Sequence, residues 1–243
     1  MLSTQRELKE ILAPGDPLPD AEWQLRIFQS GQCLSYLVWN TRTAEGIVVD
    51  PKREDIEAYR ASAKSLPHIL WLAVIDTHTH ADHISIAATL AEELGAPLIM
   101  HAASPSQRVH LRVSKDTSIP SHSGPIQLLT TPGHTPDSIT PLWGPFIFGG
   151  DTILFGDTGR DDLPGGNPES HYESVQKIKA STKLESIFLP GHDHRGGRAS
   201  TWKKQLEINA SLTQPRDVFV KEAAAFSAPA PENLNESLRE NFK

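Results

Sequence analysis

Apolar and polar positions alternate along this chain in short runs, and the runs predict an α/β protein. Three apolar segments, Leu25 to Phe28, Leu34 to Trp39 and Gly46 to Val49, are separated by turn-prone Gly31 and by Asn40 to Glu45. That is the spacing of an antiparallel meander, which Asp50-Pro51 ends. Asp55 to Leu66 reads as a surface helix and Ile69 to Ile75 as a strand. From Ile84 the apolar residues Ile84, Ala87, Ala88, Ala91 and Leu94 recur at helical spacing until Gly95 stops them. Further strands are predicted at Pro97 to Met100, Ile126 to Leu129, Phe146 to Phe148 and Ile187 to Leu189, with helices near Glu169 to Ala180 and Thr201 to Leu212. The tail from Ala228 onward, with Pro229 and Pro231-Glu232, reads as a loop wrapping the surface. Two sheets packed face to face with helices outside would cover every apolar face, a four-layer α/β/β/α sandwich. A single domain over residues 1–243 is expected, with a core of about 25–212, an N-terminal extension 1–24 and a C-terminal tail 213–243.

The chemistry gathers at strand ends. Immediately after the strand at 69–75 comes Thr77-His78-Thr79-His80-Ala81-Asp82-His83, with four ligand-type side chains. Three later segments repeat the order strand, glycine turn, ligand: Gly133-His134, Gly149-Gly150-Asp151 and Gly191-His192. Glycine permits the sharp bend, and in layered α/β proteins the strand ends are where ligands gather. A lone histidine or aspartate after a strand is more often a turn or surface residue. The conjunction changes that reading, because burying several imidazoles and carboxylates together without a metal leaves their desolvation uncompensated. Alternate residues of an extended segment point the same way, so His78 and His80 are expected to face one metal position. Asp82 and His83, in the first turn of the helix from Ile84, are expected to face an adjacent one.

Composition narrows the function classes. A net charge of -7 gives no basic footprint, which disfavours nucleic acid as a partner. Cys33 is the only cysteine, which excludes an intramolecular disulfide and any Cys-X-X-Cys motif. It lies in the strand-like Cys33 to Trp39 and reads as a small buried hydrophobe without a cationic neighbour, hence inert. The N-terminus mixes acidic and basic residues without an apolar core, and no stretch is long enough to span a membrane. A cytoplasmic protein is expected.

The pattern His-x-His-x-Asp-His, followed in order by the Gly-His, Gly-Asp and Gly-His positions, resembles the metallo-β-lactamase-fold superfamily over roughly residues 25–212. In that superfamily the matching residues form up to two metal positions. His78, His80 and His134 would surround the first, Asp82, His83 and His192 the second, with Asp151 between them. Within it the chain is similar to the persulfide dioxygenases, related to glyoxalase II. Val48 to Pro51, Thr77 to His83, Asp157 to Asp162 and Leu189 to Gly196 carry the likeness. The resemblance implies one Fe(2+) per chain held by His78, His134 and Asp151, with the second position empty although its ligands remain. It also implies the reaction of glutathione persulfide with O2 and water to give sulfite and glutathione. Two histidines and a carboxylate leave neighbouring positions open on octahedral iron. Arg160 would clamp a substrate carboxylate, or else form an ion-pair cluster with Asp157, Asp161 and Asp162. His194 is expected beside the substrate, where the branch often has tyrosine. Asp193 would orient ligands or face water.

Thr158 stands where a cysteine is common, and Asp137 replaces the glycine usual after His-Thr-Pro. A carboxylate there, near the mouth, would repel an anionic thiol, so coenzyme A persulfide stays open as a carrier. His68, His101, His110, His122 and His171 are taken as structural or surface residues. A dinuclear hydrolase of the glyoxalase II type, with two Zn(2+), is the alternative, acting on a thioester or lactone by a metal-bound hydroxide. The short stretch after His192 leaves it less room for a helical substrate domain. A non-catalytic metal sensor is the reading from a different class, and the complete ligand set argues against it. The expected partners are a small thiol persulfide and O2, and a homodimer is admitted as the assembly.

Overall fold

The computed structural model describes Leu8, Ile11, Leu12 and residues 19–243. Its first sheet contains β1 (Trp23–Ser30), β2 (Cys33–Asn40), β3 (Glu45–Val49), β4 (Leu70–Ile75), β5 (Leu98–His101) and β6 (Leu111–Val113), in that spatial order. The predicted meander forms its antiparallel edge, and β3 to β6 run parallel. The second sheet contains β7 (Thr117–Ile119), β8 (Ile126–Thr130), β9 (Ile139–Trp143), β10 (Phe146–Gly150), β11 (Ile187–Pro190) and β12 (Ser200–Thr201), in the order β12-β11-β10-β9-β8-β7. Only β10 and β11 are parallel there.

Side chains alternate across each strand, so each sheet has two faces to bury. Leu25, Tyr36, Val38, Ile47, Val49, Ala73 and Ile75 of the first sheet meet Ile126, Leu128, Ile139, Phe146, Phe148 and Leu189 of the second in the central core. Leu8 and Leu12 pack into this core, while the rest of the expected extension up to residue 18, Ile11 apart, lies outside the described residues. The opposite face of the first sheet, with Leu37, Val48, Val74 and Leu98, is covered by α1 (Ile56–Lys64) and α2 (Ala87–Leu94). Ile147 and Phe188 on the outer face of the second sheet meet α3 (Pro168–Ser181), α4 (Trp202–Ile208) and α5 (Arg216–Ala225). The expected four layers are present. Among the described residues no helix is long and apolar enough to cross a membrane.

Several elements differ from the sequence reading. α2 begins at Ala87, so Asp82 and His83 lie in a loop and not in a first helical turn. The reason is backbone pairing: Arg53 N donates to Ile84 O at 3.0 Å and Ile86 N to Pro51 O at 2.9 Å, which holds residues 84–86 against the Pro51–Arg53 segment. β9 is not among the strands predicted from sequence: it contains Pro141, which lacks a donor, yet the whole strand is buried and Pro141 pairs with Leu128. β6, β7 and β12 are too short for any alternation to show. The predicted loop after Ala228 instead ends in α6 (Leu234–Asn241), and before it the unforeseen α5 buries Phe219 edge-on against His171 and Tyr172, with ring centroids 5.6 Å away in each case.

Glu45, 3% exposed at the start of β3, ties the two sheets together. It accepts hydrogen bonds from the His122 and Ser123 backbone N–H groups, each at 3.0 Å, from the His122 ring at 2.9 Å and from the Ser123 hydroxyl at 3.0 Å. Burial alone would raise its carboxyl pKa, but these bonds outweigh it and lower the value from 4.5 to about 2. A depressed folded-state pKa contributes stability that is complete above the unfolded value and lost as pH falls through the folded one. Glu45→Gln should therefore be less stable than the wild type near neutrality, and the gap in urea midpoint should narrow as pH falls from 4.5 towards about 2. A gap of constant size across that window contradicts the assignment.

Candidate metal centre

The loop after β4 is shaped by Asp50, which follows β3 with a left-handed φ of 52°. Its carboxylate accepts from Thr77 N at 2.7 Å and from the Thr77 hydroxyl at 2.8 Å. Because that hydroxyl proton is committed to Asp50, the contact of 3.0 Å between Thr77 Oγ1 and His78 Nδ1 must be donated by the ring. His134 Nδ1 lies 2.7 Å from the carbonyl oxygen of Arg160, which only accepts. Both rings are thereby set as Nδ1–H tautomers with Nε2 free to act as a ligand.

Those two Nε2 atoms face one carboxylate. Asp151 Oδ2 is 4.0 Å from His78 Nε2 and 3.6 Å from His134 Nε2, and the three residues lie within 4.8 Å of one another through their ligand atoms. Two glycines make the approach possible. A Cβ on Gly191 would stand 2.3 Å from Asp151 Oδ1, and Gly150, at φ +49°, passes so close to Thr77 that a Cβ would come within 2.6 Å of its hydroxyl. Burial and the neighbouring His80 lower the His78 pKa well below its ordinary value, leaving it neutral. Burial alone would raise Asp151, but His192, then His78 and His134, hold it well below the carboxylate range. Imidazole nitrogens facing an ionised carboxylate are the donor set a divalent cation needs.

The remaining predicted ligands form two further groups. Asp82 Oδ2 receives His192 Nε2 at 2.9 Å and His83 Nδ1 at 3.3 Å, and the other nitrogen of His192 reaches Asp151 Oδ1 at 2.8 Å. Burial alone would lower the His192 pKa, yet the carboxylates on both sides raise it well above the ordinary value. His80 stands apart from the His78, His134 and Asp151 group: its Nε2 lies 3.2 Å from Asp50 and 3.9 Å from Asp76. Burial opposes its protonation, but Asp50 and then Asp76 bring its pKa up to about 10. His80 Nδ1 and His83 Nε2 are buried without a hydrogen-bond partner, as an ion-binding loop would leave them. The residues present fit a metal.

A cavity of about 500 Å³ opens onto His78, His134 and Asp151, with Leu154, Phe155, Phe219 and Phe226 among its walls. Arg160, Thr158 and His194 line it as well. Arg160 pairs with Asp162, at 2.7 Å from Nη2, and not with Asp157 or Asp161, which pair with Arg195 and His171 respectively. It also donates to the carbonyls of Ala228 and Pro229 at 2.6 and 2.8 Å. The His194 ring stacks on His192 with centroids 5.0 Å apart and bonds to Gln32 at 2.9 Å. Asp193 Oδ1 is buried without a partner.

Besides the separation of His80 from His78, two further expectations are overturned and one residue is added. Asp137 does not face the mouth: it is 4% exposed and accepts from Thr79 N at 3.0 Å and from the Thr79 hydroxyl, so it braces the ligand loop. Cys33 is not an isolated hydrophobe, since its Sγ donates to Asp82 Oδ2 at 2.9 Å and has Lys52 Nζ 3.7 Å away. Asn241, at the end of α6, donates to the carbonyls of His80 and His83, each at 2.9 Å, and accepts from Ser85 N at 2.9 Å. No sequence signal marks Asn241, because its partners lie more than 150 residues away.

Known proteins share this chain's sequence pattern and fold. A family model described as the metallo-beta-lactamase superfamily matches residues 29–209. The human mitochondrial persulfide dioxygenase ETHE1 is 27% identical over 222 residues, covering 90% of this chain and 87% of that protein. The crystal structure of ETHE1 from Myxococcus xanthus matches with a TM-score of 0.82 at 25% identity, covering 90% of this chain and 97% of that one. The probable polyketide biosynthesis zinc-dependent hydrolase PksB of Bacillus subtilis is 28% identical over 163 residues, covering 65% of this chain and 71% of that protein.

The geometry separates the ligands experimentally. His78→Ala, His134→Ala and Asp151→Ala should each purify without metal, whereas His83→Ala should keep most of it, as read by metal content per chain. Equal losses in His83→Ala and His78→Ala would refute the three-residue grouping. Asn241→Ala frees three backbone groups of the ligand loop and should weaken metal retention roughly 10- to 100-fold in chelator competition, the range for losing a ligand's supporting contacts. An unchanged chelator midpoint in a folded variant would show that α6 does not support the loop.

Proposed function

Because the chain belongs to the metallo-beta-lactamase superfamily, we propose that His78, His134 and Asp151 hold one ferrous ion and that the protein is a persulfide dioxygenase. The observation that carries this reading is the composition of the buried group on the cavity floor: two imidazoles and one carboxylate, with His80 turned to Asp50 and Asp76. A two-histidine, one-carboxylate set with open positions is characteristic of non-haem iron oxygenases. The similarity to the human persulfide dioxygenase ETHE1 and to ETHE1 from Myxococcus xanthus supports it. When bound, the iron supplies the redox chemistry with dioxygen that no side chain here can provide.

The chain's own residues bind, orient and shield. Thr77 and the Arg160 carbonyl keep His78 and His134 in the ligand tautomer, and His192 fixes the Asp151 carboxylate. Leu154, Phe155, Phe219 and Phe226 form an apolar wall against which the sulfur end of a persulfide sits away from bulk water. Arg160, which lines the cavity together with Arg195 and has four of its five N–H groups engaged, is the cation that we assign to a carboxylate of the thiol carrier. The stacked His194 completes the carrier side. Glutathione persulfide is the substrate proposed first, and with Asp137 turned inward no carboxylate at that position opposes it. The overall conversion is RSSH + O2 + H2O to RSH, sulfite and two protons.

The hydrolase alternative draws support from Asp82, His83 and His192 remaining together, and from the likeness to a zinc-dependent hydrolase. Oxygen separates the two. The purified protein should consume dissolved oxygen only when glutathione persulfide or coenzyme A persulfide is supplied, with sulfite formed in proportion, and should be silent without air. A hydroxyacyl-glutathione thioester cleaved at enzymatic rates under anaerobic conditions, with neither persulfide drawing down oxygen, would replace this reading by the dinuclear hydrolase.

A further inference from the structure

His171 reads by sequence as a structural or surface residue, and the proposed reaction does not use it. It is fully buried, in the first turn of α3. That turn is docked on the loop that carries His134. Asn167 caps the helix, accepting from Ser170 N at 2.8 Å, and its own N–H donates to Gly133 O at 2.8 Å. Ser174, one turn further on, donates to Pro132 O at 2.7 Å. Only glycine allows the contact: a Cβ on Gly133 would stand 2.3 Å from His171 Cα.

The ring then reaches two other segments of the metal centre. Its Nε2 lies 2.6 Å from the carbonyl oxygen of Thr152, the residue after Asp151, and because a carbonyl only accepts, that nitrogen carries a hydrogen. Its Nδ1 lies 2.6 Å from Oδ1 of Asp161, the residue after Arg160, whose carbonyl holds His134. Gly159, in the same segment, donates to Asp151 O at 2.9 Å, and a Cβ on it would come within 3.1 Å of His134 Nδ1. The segments of His134, Asp151 and Arg160 thus converge on one imidazole. Phe219 of the cavity wall packs edge-on against that ring.

We propose that His171 is a positioning residue of the metal centre: by holding Thr152 and Asp161 at its two nitrogens, it fixes Asp151 and His134 relative to each other and sets the place of Arg160. His171 lies behind the cavity wall and not on it, so it acts only through the segments it holds. An apolar side chain there would leave the Thr152 carbonyl without this donor and the buried Asp161 carboxylate without its partner, and both segments would shift to recover partners. The inference rests on the reading of His78, His134 and Asp151 as a metal group, and not on which metal or reaction they serve.

Chelator competition and visible absorption of the full-length protein exchanged into cobalt(II) read the centre without any substrate. His171→Leu should weaken cobalt retention roughly 10- to 100-fold, the range for losing a ligand's supporting contacts, and should change the shape of the d–d bands. His171→Gln, whose amide keeps a donor for the Thr152 carbonyl, should recover part of both. Because His171→Leu strands a buried carboxylate, the double variant His171→Leu, Asp161→Val is measured beside it. Replacing a buried pair by apolar residues is often neutral for stability, so the double variant should keep the wild-type urea midpoint and still hold cobalt weakly. A merely structural residue would lower the urea midpoint and leave the cobalt bands as they are, as Glu45→Gln, at the end of β3 remote from Asp50, should do. Unaltered retention and band shape in the folded variants, or failure of all three His171 variants to fold, would overturn the positioning role. Wild-type protein that binds no cobalt, or whose bands are unmoved by His78→Ala, would instead sink the metal-centre reading beneath it. No readout uses a persulfide or oxygen, so failure of the dioxygenase assay leaves the role of His171 standing.

Discussion

The carboxylate of Asp50 accepts from the backbone and hydroxyl of Thr77 at 2.7 and 2.8 Å and faces His80 Nε2 at 3.2 Å, and the ligand loop depends on these three contacts. Through the Thr77 hydroxyl it sets the tautomer of His78. Through His80 it draws the second histidine of the motif away from the group on the cavity floor. Asp50 can do this because its backbone takes a left-handed turn at the end of β3, next to β4. A non-glycine residue in that conformation is uncommon and carries a cost that the surrounding contacts must offset, and aspartate tolerates it better than most.

Charge balance organises the rest of the centre. His192 lies between Asp151 and Asp82, and its raised pKa keeps positive charge between the two carboxylates. An unpaired carboxylate there would be costly, so the pairing fixes where each oxygen points. Asp151 can then turn its other oxygen to His78 and His134. One imidazole therefore couples the group of His78, His134 and Asp151 to the Asp82 side of the ligand loop.

The C-terminal segment belongs to this centre. α5 brings Phe219 and Phe226 to the cavity, the carbonyls of Ala228 and Pro229 hold Arg160, and α6 closes the back of the ligand loop with Asn241. The cavity wall and the ligand loop are thus supported by the same stretch of chain, from opposite sides.

Strand and helix periodicity, the four strand-end ligand positions and the four-layer arrangement were all determined by sequence, because each is encoded within a few neighbouring residues. The alternation in Leu34 to Trp39 and the glycine before each ligand needed no distant partner to be read. What only the tertiary structure decided are contacts between residues far apart in the chain: Cys33 with Asp82, Asp137 with Thr79, and Asn241 with His80 and His83. Nothing around Asp137 distinguishes a carboxylate facing a substrate from one bracing a loop, and nothing around Cys33 tells an isolated thiol from one bonded to a distant carboxylate. The division of His78 and His80 between two groups likewise came from Asp50, a residue 28 positions from the first and 30 from the second, whose pull a spacing rule does not contain.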